Sequence, residues 1–558
     1  MNDTRRAILW GVFSLSLVML WDGWQRSKGE PSMFAPPAVT SAASTAPASG
    51  ASGVPAPAAT PGTATAVPPG AAASAAAITP VAPVVARTDA LEITFDSRGA
   101  SIVGLKLLKQ HEQGATDKPV SLFERSSQRY YEAQTGLLPR QAGEAALPNH
   151  HTPMQRLEGP LTLAEGQKDL SVSFESAEEG GLVLKKTFVL SRDSYTVQVR
   201  HELINRSSAP RAAQLYLQLV RDGNVDAPSM FMGPSSFTGP AVYTDKAKFQ
   251  KMEFSDIEKG KAEHEKSAPD GWIAMIQHYF ASAWLVPAGQ TREYRATKVA
   301  DNLYSVAMVL PLAEVAPGAS LSHGATLYAG PQEENKLAAL APGLELVKDY
   351  GWLTLLAKPL FWLLDKLHGM LGNWGWAIVA LVVLLKAAFY WLNASAYRSM
   401  GKMKAINPRI MELRERLKDK PQQMQQEMMR IYREEKVNPL GGCLPILVQM
   451  PFFIALYWVL LSSVEMRNAP WIGWITDLSA KDPFYILPII MTLSTMLQTW
   501  LNPTPPDPVQ AKMMWIMPLV FSVMFFVFPA GLVLYWVTNT LLSILQQWAI
   551  NRQLGLNK

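Results

Sequence analysis

One cysteine, Cys443, stands among 558 residues, so no intramolecular disulfide forms and an exported domain must hold together by core burial. The sequence has no glycine-rich phosphate loop, so neither a nucleotide nor another cofactor is expected. His111, His150, His151, His201, His264, His278 and His323 are scattered without metal-ligand spacing, which reads as surface or core histidine and predicts no metal site. Acid is missing where it would matter most. The apolar runs 441–463, 483–502, 513–529 and 530–550 contain neither Asp nor Glu, which argues against the intramembrane proton relay of a pump.

What is present is apolar length, at 48% hydrophobic and 17% charged residues. Residues 1–24 carry Arg5 and Arg6 before an apolar stretch closed by Trp21, Asp22 and Trp24, which predicts an uncleaved transmembrane anchor with a cytoplasmic N-terminus. Residues 25–88, mostly Ala, Pro, Ser, Thr, Gly and Val, cannot pack a core and read as a disordered tether. From 89 to 335 the period becomes two. Tyr195, Val197, Val199 and Leu203 alternate with Thr196, Gln198, Arg200 and Glu202 after a turn at 191–194, and Leu215, Leu217 and Leu219 form another strand. This predicts a large antiparallel β-sandwich. Residues 344–370 read as an amphipathic helix at the membrane surface, kinked by Pro359.

Five spans follow, at 375–396, 443–463, 484–501, 513–528 and 532–550, six with the anchor, inside a membrane region of 374–550. The segment 398–436 holds eleven Lys and Arg residues, which places it in the cytoplasm, the sandwich outside and the tail 551–558 inside. The same clustering explains the net charge of +5 without nucleic acid. Within that segment Ile406, Ile410, Leu413 and Leu417 fall at a and d spacing. Asn407 and Pro408 suggest one helix start and Pro421 a second, giving a hairpin of two short helices. Met424, Met428, Arg430 and Arg433 would present an adaptable docking surface there.

Lys386 is the only charge between Trp374 and Tyr397. A charge at a bilayer centre costs about 2.5–3.5 kcal/mol, so an intramembrane lysine marks a functional site. In a straight span it stands roughly 17 Å from either interface, and snorkelling shortens that distance only in part. To stay charged it needs water and neutral dipoles. Gln449, Thr492, Ser494, Thr495, Gln498, Ser522, Thr538, Asn539 and Thr540 would supply them in a polar groove, although each alone also suits ordinary helix-to-helix bonding. A channel or transporter, with a carbohydrate-binding exported domain, is the alternative reading.

Three runs resemble the Gram-negative branch of the YidC/Oxa/Alb family of membrane protein insertases. They are Val437-Asn438-Pro439-Leu440-Gly441-Gly442-Cys443 with Gln449-Met450-Pro451, Asp477-Leu478-Ser479-Ala480 before Asp482-Pro483, and Phe528-Pro529-Ala530-Gly531-Leu532-Val533-Leu534-Tyr535. Gly271-Trp272-Ile273-Ala274-Met275 and Asp349-Tyr350-Gly351-Trp352-Leu353 also resemble that branch. The resemblance implies a non-enzymatic inner-membrane protein with a five-helix insertase core, a groove open to cytoplasm and lipid, and a periplasmic sandwich similar to sugar mutarotases. It implies nascent integral membrane proteins as clients, with Phe452, Phe453, Met514, Phe521, Phe525, Tyr535 and Trp536 as candidate client contacts. The lipid bilayer, the Sec translocase with its accessory subunits, and the ribosome are the implied partners. Lys386 stands where many relatives carry Arg, which keeps the charge and loses the planar fork.

Overall fold

The computed structural model describes residues 83–112, 115–141, 144–225, 237–417, 420–435, 444–502 and 508–553. The expected anchor, most of the tether, most of the tail, and the run 437–443 with Cys443 lie outside the described residues. Residues 508–517 belong to a compact unit distinct from the one holding all other described residues.

Two nine-stranded antiparallel sheets form the sandwich. From edge to edge the first runs Val84–Arg87, Leu91–Phe95, Ile102–Glu112, Ala115–Arg125, Tyr130–Pro139, Ala213–Asp222, Leu303–Pro311, Arg292–Ala300, Ser267–Ala268. The second runs Lys248–Lys251, Gly239–Thr244, Trp272–Gln277, Phe280–Leu285, Ser320–Pro331, Thr196–Asn205, Leu182–Ser191, Asp169–Ser176, Met154–Arg156. Between the sheets Phe95 meets Phe174 and Phe188 at 5.3 and 4.7 Å between ring centroids, and Trp284 donates its indole N–H to the Gln218 carbonyl at 3.1 Å.

The hairpin read from alternation is present, with Leu190 opposite Val197. Alternation fails in Ala213–Asp222, a central strand buried on both faces, where Gln218 hides its amide by donating to Gln134. The tether ends earlier than residue 88. Val84–Arg87 pairs with Leu91–Phe95, because Val84 and Val85 suit an edge strand and Ala86 is fully buried.

The single amphipathic helix expected over 344–370 is instead two short turns, Leu344–Val347 and Gly351–Leu353, before a helix at Thr354–Leu371. Gly343 and Gly351 adopt φ of 70° and 64°, a left-handed conformation that interrupts a helix. In chain order the helices are α1 (Phe254–Glu258), α2 (Glu334–Leu340), α3 (Thr354–Leu371), α4 (Trp374–Ala388), α5 (Tyr390–Arg416), α6 (Pro421–Glu434), α7 (Leu444–Ser462), α8 (Ile486–Leu501), α9 (Pro508–Phe525) and α10 (Ala530–Gln553). Leu360 and Leu364 of α3, Ile378 and Leu381 of α4, Leu456 and Val459 of α7, and Leu532 and Val533 of α10 share one buried cluster.

The expected span 375–396 is broken, since α4 and α5 meet at a bend of 68°. The helix start expected at Asn407 and Pro408 is absent, because α5 continues through Pro408. A proline removes one backbone bond, and here Ile406 and Ile410 pack on both sides of it with Leu413 and Ile431, so packing outweighs the preference for an N1 position. The hairpin partner α6 packs there as expected, but α5 is long rather than short. By length and composition no single helix among the described residues crosses a membrane, and the bent pair α4 and α5 passes that test together.

Candidate functional site

Lys386 sits in the last turn of α4 rather than in mid-span, where the helix dipole favours a cation. Its ammonium donates to Ser543 Oγ at 2.7 Å, and the Ser543 hydroxyl in turn donates a hydrogen bond to the Asn539 carbonyl of α10 at 2.7 Å. A neutral hydroxyl, tied to a backbone oxygen, thus takes the place of a counter-ion. Among the described residues no carboxylate lies within 4.0 Å of this ammonium.

Beside it opens a cavity of about 360 Å³ lined by Val382, Leu385, Lys386 and Phe389 of the α4 turn, Gln449, Met450, Phe452 and Phe453 of α7, and Tyr535 and Asn539 of α10. Its aromatic wall is cross-braced: Phe389 meets Phe452 edge-on at 5.2 Å, and Phe453 meets Tyr535 at 5.8 Å and Trp536 at 5.1 Å. At one edge Gln449 donates to Asn393 Oδ1 at 3.1 Å. Such a site presents one positive charge inside an apolar, aromatic slot.

Of the residues singled out from sequence, Lys386, Gln449, Asn539, Phe452, Phe453 and Tyr535 come together. Trp536 stacks behind them against Phe525 and Phe528. Thr492, Ser494, Thr495, Ser522 and Thr538 do not join the cavity wall and return their hydroxyls to their own helix's carbonyl four residues back. Thr540 lies 3.9 Å from the Met491 sulfur. Gln498 and Met514 are half-buried, and Phe521 is exposed. Met428 leans on the hairpin cluster, Met424 is half-exposed, and Arg430 pairs with Glu427 and Glu434 beside the exposed Arg433. Sequence reasoning missed Ser543 and Asn393. Ser543 stands one helical turn after Asn539 and shares its face, and that spacing was the available signal.

Residues 84–363 match the family described as the YidC periplasmic domain, and residues 366–557 match the 60Kd inner membrane protein family. The membrane protein insertase YidC of Cupriavidus necator is 56% identical over 100% of this chain and 99% of its own length. The chain belongs to the YidC family of membrane protein insertases. YidC proteins of Ralstonia nicotianae and Burkholderia ambifaria are 53% and 51% identical, each over at least 99% of both chains. Two solved structures are more distant. An active YidC insertase with its first transmembrane domain resolved is 19% identical, covering 84% of this chain and 92% of that one, at a TM-score of 0.40. A galactose mutarotase related enzyme from Lactobacillus acidophilus is 9% identical, covering 44% and 97%, at 0.30. Membership of the YidC family places the chain at the bacterial inner membrane with a periplasmic domain, and gives the channel or transporter reading no support.

Proposed function

We propose that the cavity beside Lys386 is where this insertase holds the hydrophilic part of a nascent membrane protein while the client's apolar segment passes into lipid. The observation that carries this is a cation satisfied by a serine hydroxyl, with no carboxylate within 4.0 Å among the described residues. Carrying a carboxylate to the bilayer centre costs about 2.5–3.5 kcal/mol. A cation about 4 Å away returns about 4 kcal/mol at an effective dielectric near 20. The client therefore supplies the missing counter-charge, and the lysine lowers its barrier without trapping it.

In this reading Phe452, Phe453, Tyr535 and Trp536 touch the client's apolar segment, and Met514, Phe521 and Phe525 are further candidate contacts. Gln449 and Asn539 help hold water near the ammonium. The anchor 1–24, the bent pair α4 and α5, and α7 to α10 make six spans, the last five helical units forming the core. Both termini are cytoplasmic and the sandwich, which begins at Val84, is outside. The hairpin 398–436 offers Met424, Met428, Arg430 and Arg433 to ribosome or targeting partners, and the protein works alone or beside the Sec translocase. Photocrosslinkers at Phe453 and Phe521, with a stalled nascent chain, test the reading. Adducts to the emerging apolar segment are expected from both. Efficient insertion with no adduct from either position sinks it.

A further inference from the structure

One end of the sandwich is hollow. The hairpin turn at Gln128 and Arg129, the strand end at Arg221 and Asp222, and the hairpin Gln277 to Tyr279 surround a cavity of about 540 Å³, closed on one side by Arg467 from the loop after α7.

Three guanidinium groups face it, and two are rigidly held. Arg129 donates to the Ser121 carbonyl at 3.0 Å, the Leu122 carbonyl at 3.3 Å and Gln277 Oε1 at 3.1 Å. Arg467 donates to the His111 carbonyl at 2.6 Å and lies over the rings of Tyr279 and Phe280 at 5.0 and 5.3 Å. Its Nε–H is buried and has no hydrogen-bond partner among the described residues. Neither Arg129 nor Arg467 has a carboxylate within 4.0 Å among the described residues. The third, Arg221, lies 5.6 Å from the Tyr131 ring. Two acids share the lining. Asp222 already accepts from the backbone N–H groups of Tyr130 at 2.6 Å and Asn224 at 3.0 Å, and Glu112 is exposed at the rim.

A part-buried cation without a directly paired carboxylate is costly until an anion arrives, and burial lowers the Arg467 pKa from its ordinary value, with Tyr279 and Asp477 opposing only in part. Planar guanidinium forks fixed on aromatic rings suit the paired oxygens of a phosphate. The cavity lies beside the end of α7, where His278 Nε2 meets the Leu461 carbonyl at 3.2 Å. We infer that this cavity binds a phosphate anion, carried by the headgroup of an anionic lipid or by a soluble phosphate ester.

The test titrates the purified full-length protein in a neutral detergent with inorganic phosphate, glycerol phosphate and short-chain phosphatidylglycerol. Saturable binding is expected, weakened about tenfold or more in Arg129→Gln/Arg467→Gln. Because Arg467 also braces the end of the Ile102–Glu112 strand at His111, Gln128→Glu provides a second variant that leaves those hydrogen bonds in place, and the same weakening is expected. Binding of the short-chain lipid alone assigns the headgroup, and equal binding of glycerol phosphate assigns a soluble ester. Unchanged affinity in both variants, no binding of any phosphate probe, or equally tight binding of glutamate would overturn the proposal.

Discussion

Lys348 Nζ lies 3.0 Å from Glu465 Oε2, with the lysine side chain fully buried and its ammonium 3.6 Å above the Phe361 ring centroid. The pair joins the segment that leaves the sandwich to the turn after α7, across 117 residues of sequence. Removing one partner strands a buried charge, so Glu465→Gln should cost about 3–5 kcal/mol, whereas Lys348→Met/Glu465→Leu should cost much less. Thermal melting of the full-length protein in detergent compares them. A Glu465→Gln melt equal to wild type contradicts a structural role.

A second buried charge makes the sandwich sensitive to pH. Lys186, His201 and His323 lie opposite one another on three neighbouring strands. Lys186 is fully buried and donates to the Gly99 and Thr135 carbonyls at 2.5 and 2.7 Å. Burial pushes its pKa down to about 7; His201 falls well below 6.5 through burial and then the neighbouring Lys186 charge. These bases hold protons less well folded than unfolded, so stability is lost as pH falls. Lys186 acts between 10.5 and about 7, with a slope of at most about 1.4 kcal/mol per pH unit. The histidine contribution follows below 6.5. Lys186→Met should flatten the alkaline part of a melting-temperature profile and keep the burial-driven share of the acid part while removing the share owed to the Lys186 charge; an unchanged profile would count against this account.

At the groove, Lys386→Arg should preserve insertion and Lys386→Glu should impair clients whose translocated tails are acidic. Reversing the charge turns an attraction of about 4 kcal/mol into a repulsion of similar size, so the loss should exceed tenfold in an initial-rate insertion assay. Neutral-tailed clients serve as the internal control. Normal insertion of every acidic-tailed client by Lys386→Glu removes the electrostatic role.

The N-terminal end of α4 is packed without slack. A Cβ at Gly375 would lie 2.2 Å from Trp471 Cδ1, and the Trp471 carbonyl already accepts from Asn373 at 3.1 Å. Gly375→Ala should therefore destabilise by about 1–3 kcal/mol, against the roughly 1 kcal/mol that alanine returns in a helix. Trp471→Ala in the same background should recover part of the loss, read by the same melts; no recovery would place the clash elsewhere.

Local pattern carried much of this architecture. Alternation located the 182–205 hairpin, and Lys386, Gln449, Asn539 and the Phe452-Phe453 pair, singled out separately, line one cavity. What stayed hidden depends on distant partners. Nothing near Lys348 announces Glu465, and nothing near Lys186 announces that its carbonyl partners lie on the opposite sheet. Ser543 is 157 residues from the lysine it serves. The break at Phe389 also escaped, because an apolar run reads the same whether its helix is straight or bent by 68°.

Thr492, Ser494, Thr495, Thr499, Ser522, Thr538 and Ser543 each donate a hydrogen bond to the carbonyl four residues back. A hydroxyl occupied in this way has spent its donor and keeps only its acceptor lone pairs, as Ser543 shows by accepting from Lys386, so these helices offer water fewer donors than their composition suggests. In the proposed reading, the field that a client meets beside α4 then comes mainly from Lys386. Changing residue 386 resets its sign, while trimming the self-bonded threonines leaves it nearly as it was.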